Sequence, residues 1–146
     1  MIDLKILRAE LKDADRISQL ILPLAMLHFK PIISSFSAKS IAEYIVNSAF
    51  DYYIAEIQNS LCGLISLRDN KHVYHLFVAE KYQRQGIARA LWEHVRFEAA
   101  QKGNDGIFTV NSSMNAVEVY EHLGFHKLNY QQEKNGINYV PMQYGV

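Results

Sequence analysis

A chain of 146 residues is the size of one domain and long enough to bury a core. Hydrophobic residues make up 49% and charged ones 21%, and fifteen basic side chains balance fifteen acidic ones, so nothing in the charge favours nucleic acid or an anionic membrane surface. No window nears the roughly eighteen apolar residues of a membrane span and Cys62 is alone, so we expect a cytoplasmic protein whose neutral balance leaves a homodimer open.

Residues 2–8 alternate apolar and polar side chains and predict a first, half-buried strand. Asp13 or Asp15 can cap a helix with Ile17, Leu20, Ile21 and Leu24 on one stripe. Pro23 removes a backbone donor inside it, at a cost of about 3 kcal/mol, so a kink or break is expected near Leu22, then irregular chain from Pro31 to Phe36. Ser37 caps a second helix carrying Ile41, Tyr44 and Ile45. Residues 52–57 and 61–68 read as strands around Gln58-Asn59-Ser60, and Asp69-Asn70 turns the chain into a third at residues 72–78, giving an antiparallel meander.

After Gly86, the apolar residues Ile87, Ala88, Leu91, Trp92, Val95 and Ala99 recur at helical spacing, and Lys102-Gly103-Asn104-Asp105-Gly106 ends that helix. Residues 107–110 then form a short strand that arrives by a crossover and should lie parallel to residues 72–78. A helix bearing Ala116, Val119, Tyr120 and Leu123 stops at Gly124. Residues 125–133 and 137–144 pair around Asn135-Gly136, a dipeptide suited to a type I′ turn. The fold class is a mixed α/β sheet, with a single domain expected over residues 1–146.

The turn Gln83-Arg84-Gln85-Gly86-Ile87-Ala88 joins a strand to a helix. Gly86 lacks a Cβ where the chain must turn and Ala88 keeps the entrance narrow, so the first free N–H groups of the helix can touch a ligand, and the helix dipole favours an anion. Gln83-x-x-Gly86-x-Ala88, with Phe77-Val78 before it and Ala90-Leu91 after it, resembles the acetyl-CoA signature of the GNAT superfamily of N-acetyltransferases. The stretch from Asn111 through Asn115, Ala116 and Tyr120 to Gly124-Phe125 is similar to a second block of that family, and the two together cover Tyr74 to Phe125.

The resemblance implies a GNAT-like fold with about seven mostly antiparallel strands, a central splayed parallel pair and about four helices. It implies acetyl-CoA as cosubstrate and direct transfer of its acetyl group to a primary amine of a small molecule, amino acid or peptide. Gln83, Arg84, Gln85, Gly86, Ile87, Ala88 and Arg89 would bind the cofactor, its pyrophosphate sitting on the N–H groups of Arg84 to Ala88 with Arg84 or Arg89 adding positive charge. Phe77 and Val78 would give main-chain partners to the pantetheine arm, and Asn115 and Tyr120 would complete the cofactor site. Tyr120 takes the position of the acid that returns a proton to the thiolate; read without the family, it is a helix residue packing its ring.

For a base, His75 and His72 are the candidates, His72 where many relatives carry a carboxylate, with Glu80 and Glu118 as weaker ones, and a water relay stays open; the odd separation of the two histidines along a strand points them to opposite faces. No metal is expected: His72 and His75 alternate, and His122 and His126 straddle Gly124. Leu24, Met26, His28 and Phe29 are candidates for the acceptor wall or for plain core. A non-catalytic acyl-CoA-binding sensor or interaction module of the same fold is the alternative function.

Overall fold

The computed structural model describes residues 3–146, so Ile2, placed above in the first strand, lies outside them. Eight strands form one sheet: β1 (Leu4–Arg8), β2 (Phe50–Ile57), β3 (Ser60–Arg68), β4 (His72–Val78), β5 (Phe108–Ser113), β6 (Phe125–Lys127), β7 (Gln132–Lys134) and β8 (Ile137–Tyr144). The order is β1-β2-β3-β4-β5-β8-β6, with β7 also on β8, and β4–β5 is the one parallel pairing among the described residues. Four α-helices, α1 (Ala14–His28), α2 (Ala38–Val46), α3 (Ile87–Gln101) and α4 (Val117–Leu123), complete the mixed α/β fold.

Two-residue turns set the meander. Gln58 and Asn59 both have positive φ (51° and 67°), as do Asp69 and Asn70 (56° and 57°) and Asn135 and Gly136 (53° and 80°). This is the type I′ geometry whose twist matches antiparallel strands, and Asn, Asp and Gly tolerate it best. Alternation along β2 then separates two cores. Tyr52 and Ile54 join Ile17, Ile21, Ala25 and Ile41 under α1 and α2, while Tyr53 and Ala55 join Leu91, Trp92, Val95 and Tyr120 under α3 and α4.

Three local expectations are corrected. Pro23 does not break α1, which is continuous from Ala14 to His28. Pro23 and Gln19 are both exposed, so the carbonyl that loses its donor faces water and is solvated there. The strand expected to end at Val110 runs on to Ser113, because β8 pairs with it through Ser113 and Tyr139. The long strand expected over residues 125–133 is two strands, β6 and β7, separated by exposed Leu128 to Gln131, and both pair with β8.

Ser37 caps α2 as read from the sequence, its side chain accepting the Ser40 N–H at 3.2 Å. Asp13 acts at the other helix entrance by accepting the Glu10 N–H at 2.8 Å and binding Arg16, which also reaches Glu56 on β2.

Gly63 on β3 lies beneath the start of α3. A Cβ there would stand 3.0 Å from the Phe77 carbonyl oxygen and 3.2 Å from a Leu91 methyl. The missing side chain lets α3 seat close to the sheet. Gly63→Val is expected to overpack this contact and lower stability by about 1–3 kcal/mol, read as a shift in the urea midpoint at unchanged m-value.

Candidate active site

The parallel ladder between β4 and β5 is short. Only His72 pairs with Thr109 and Val73 with Val110, although β4 continues to Val78 and β5 to Ser113. A register shift against β3 leaves Tyr74 as an extra residue on β4 and bends it, while β5 stays bound to β8 along its whole length. The two strands therefore separate toward their carboxyl ends, and a cleft of about 770 Å³ opens between them.

Ladder alternation identifies which backbone groups face that gap. The Ala79 N–H donates to Cys62 C=O at 2.9 Å, so two residues earlier Phe77 also points its amide and carbonyl at β3, against Leu64. The main-chain groups turned toward β5 are those of Leu76 and Val78. This corrects the assignment of Phe77 as a main-chain partner, since its backbone is committed to the neighbouring strand; its side chain still lines the cleft. The Val78 carbonyl accepts a hydrogen bond from Gln83 Nε2 at 3.0 Å, which leaves the Val78 amide and both Leu76 groups on the open edge.

The turn into α3 closes one end of the cleft. Arg84 (φ 63°) and Gly86 (φ 82°) lie in the left-handed region on either side of Gln85, an alternation that turns successive N–H groups toward one point. Only with Ala90, whose N–H donates to Gly86 C=O at 3.0 Å, does the helical ladder start. Among the described residues, the amides of residues 84–89 therefore have no acceptor. A Cβ on Gly86 would meet nothing within 4 Å, so this turn is open on its cleft side. A run of free donors at a helix N-terminus, with room in front, fits a pyrophosphate.

The candidate residues divide by place. Phe77, Val78, Gln83, Arg84, Gly86, Ile87, Ala88, Arg89, Asn115, Tyr120 and His75 line the cleft. Gln85 does not; its side chain reaches back to the Lys81 carbonyl at 3.2 Å. His72 does not either. It sits where β4 and β5 still pair, with Nδ1 2.8 Å from Thr109 Oγ1, and burial together with nearby Arg68 lowers its pKa to about 4.

His75 is buried among Phe36, Tyr44, Tyr52, Tyr74 and Phe77, its Nδ1 2.9 Å from the Tyr52 hydroxyl. Burial alone takes its pKa down to about 3. The simple alternation expected between His72 and His75 is reset by the bulge. Consecutive Tyr74 and His75 both face the α1–α2 side, where the Tyr74 hydroxyl is 3.2 Å from that of Tyr44.

Tyr120 on α4 is buried against Phe125, and its hydroxyl makes no hydrogen bond among the described residues. Burial pushes the phenol well above its ordinary pKa, so it carries its proton throughout the neutral range. Arg89 on α3 donates to the His122 carbonyl at the end of α4, 2.6 Å away, and so ties the helix of Tyr120 to the anion-facing turn. The sequence reading missed this strap, along with Leu76, Asn111 and Ser113 in the lining. No single-residue signal distinguishes any of them. Of the wall candidates, Leu24, His28 and Phe29 line the cleft, and Met26 faces solvent. No group of three or more metal-ligating side chains gathers among the described residues, nor is any helix there long and apolar enough to cross a membrane.

Residues 19–146 match the family described as acetyltransferase (GNAT) domain. Human N-acetyltransferase 8 is 27% identical over an aligned length of 95 residues, with 58% of this chain and 42% of the human protein covered, so the match spans less than half of that relative. Among solved structures, a GCN5-related N-acetyltransferase from Rhodopseudomonas palustris superimposes with a TM-score of 0.84 at 18% identity, covering 100% of this chain and 98% of the other. The PaiA N-acetyltransferase from Thermoplasma acidophilum, solved in complex with coenzyme A, gives 0.81 at 15% identity over 99% and 100% of the two chains. At these identities the likeness is one of fold.

Buried His75 and half-buried His72 give the fold a pH signature. Their folded pKa values, about 4 and about 3, lie below the ordinary 6.5, so an unfolded chain takes up their protons first as pH falls. Stability is then undiminished above pH 6.5 and is lost as pH drops from there toward 4 and 3. Unfolding free energies measured between pH 6.5 and 4.5 are expected to fall by on the order of 1 kcal/mol per pH unit for His75 and by less for the half-buried His72. In His75→Gln the slope should be shallower; an unchanged slope would mean that His75 is not held neutral by burial.

Proposed function

The chain belongs to the GNAT acetyltransferase family, and on that premise we propose that it transfers the acetyl group of acetyl-CoA to the nitrogen of a primary amine. The observation that carries this reading is the gap between β4 and β5, with the unpaired amides of residues 84–89 across one end of it. Acetyl-CoA would bring a thioester carbonyl open to attack. The turn amides and the Arg84 side chain would hold its diphosphate. The open-edge groups of Leu76 and Val78 would satisfy the amides of its pantetheine arm, in place of the sheet partner that β5 does not provide.

In the transfer, a nitrogen–carbon bond forms, the carbon–sulfur bond breaks, and the ammonium proton must leave while the thiolate gains one. Tyr120 is the proposed donor to sulfur, its phenolate being reprotonated from solvent. Burial makes a phenol a weaker acid, but the same burial raises the proton affinity of a thiolate expelled beside it, so the transfer is not disfavoured by the environment.

Neither candidate histidine suits the base. His72 is outside the cleft. His75, at a pKa of about 3, is some seven units too weak to take a proton from an alkyl ammonium near 10.4, a gap of roughly 10 kcal/mol. We therefore propose that the amine loses its proton to bulk solvent before attack, at a cost of about 4.6 kcal/mol at pH 7 for an ammonium near 10.4.

Tyr120→Phe is expected to keep its calorimetric affinity for acetyl-CoA while thiol release with an amine falls at least tenfold, about 1.4 kcal/mol of barrier. Undiminished turnover would remove Tyr120 from the reaction. Gly86→Glu sets a carboxylate before the free amides and should abolish acetyl-CoA binding in the same calorimetric titration; retained affinity would mean that the diphosphate sits elsewhere.

A further inference from the structure

The walls of the cleft change in kind from one end to the other. At the α3 end stand Arg84 and Arg89 beside the free amides. At the far end, α1 and the turn before α2 contribute Leu24, Phe29, Ile32 and Phe36 with the neutral hydroxyl of Ser35 and with His28, and β4 contributes Tyr74, His75 and Phe77. No carboxylate stands among them. Along the whole described lining the one acid is Glu118, on α4, beside Val119 and Tyr120. His75 adds no charge, being neutral above about pH 3.

Phe29, Phe36 and Phe77 form a closed triangle, with centroids 5.6, 5.9 and 6.0 Å apart, and Phe77 meets the other two edge to face. These rings spend much of their aromatic surface on one another, which leaves little to hold a cation.

Such a wall discriminates by solvation. Each ammonium brought against it gives up hydration and receives no anion in return, only neutral hydroxyls such as that of Ser35, at a cost of several kcal/mol. A molecule with several cationic groups meets that cost repeatedly. An apolar or aromatic body gains instead, at about 25 cal/mol for each Å² removed from water. Resting on the acetyl transfer proposed above, we infer that the acceptor is a single primary amine carried on an apolar or aromatic body, and that polyamines and other polycations are poor substrates.

The test compares 2-phenylethylamine with spermidine as acceptors, following thiol release from acetyl-CoA after calorimetry has measured coenzyme A binding. The expected result is a kcat/KM at least tenfold higher for 2-phenylethylamine. Ser35 lines the same end and bonds only to the Ile32 carbonyl, at 2.7 Å, so Ser35→Asp adds the missing carboxylate at a half-buried position. It should narrow the ratio at least fivefold while coenzyme A affinity, which also reports on its fold, stays unchanged. Coenzyme A binding with spermidine used as well as or better than 2-phenylethylamine, with neither turned over, or with a ratio indifferent to Ser35→Asp, overturns the acceptor class and leaves the cofactor reading standing. Absence of coenzyme A binding removes both.

Discussion

Two parallel strands that pair for only two residues and then part leave the middle of a sheet unfinished, and the rest of the molecule is arranged around that gap. A buried strand normally places every amide and carbonyl in a ladder, because an unpaired buried group costs about 1–3 kcal/mol. Here the groups of Leu76 and Val78 that point at β5 meet open space, and Gln83 satisfies just one of them. Neither strand can move to close the gap. The bulge at Tyr74 turns β4 away, and β8 holds β5 out to Ser113. α3 then sets its unpaired N-terminal amides across one end, where Gly63 lets it approach closely, and the Arg89 bond to His122 keeps α4 alongside.

Much of this was legible in the sequence, for reasons that are local. Gly86 is needed where φ is 82°, and Asn-Gly, Asp-Asn and Gln-Asn dipeptides occupy type I′ turns because those residues accept positive φ. The two block resemblances picked out the turn and Tyr120, which line one cleft, since both depend on fixed spacing within short segments. Ser37 announced α2 because a cap is a contact between residues three apart.

What could not be read depends on partners far away in the chain. Whether Phe77 or Leu76 presents its backbone to the gap is fixed by the phase of the β3–β4 ladder, and the bulge at Tyr74 leaves no mark on either strand's composition. The same bulge sets Tyr74 and His75 toward one side, which strict alternation forbids. Pro23 looked like a break because its cost was counted as for a buried interior, whereas its turn of α1 faces solvent and water can serve the freed carbonyl. Residues 125–133 look uniformly strand-like, yet only the register with β8 separates β6 from β7.

The weakness of His75 as a base and the apolar character of the far wall have one cause. Burial among Phe36, Tyr52, Tyr74 and Phe77 removes the water that would stabilise an imidazolium, and it would act in the same direction on an ammonium brought to that wall. An amine moving from solvent into such surroundings is pushed toward its neutral form, the form with a free lone pair. In the proposed transfer, the surroundings that disable a histidine would thus favour loss of the amine's proton to solvent before the nitrogen reaches the carbonyl. Tyr120 is governed by the same rule with the opposite charge: burial keeps the phenol protonated, so the donor proposed for the sulfur would be loaded when the thiolate departs. On this account both proton transfers are handled by desolvation at the two sides of one gap, and the acetyl transfer proposed for this cleft does not call for a dedicated general base.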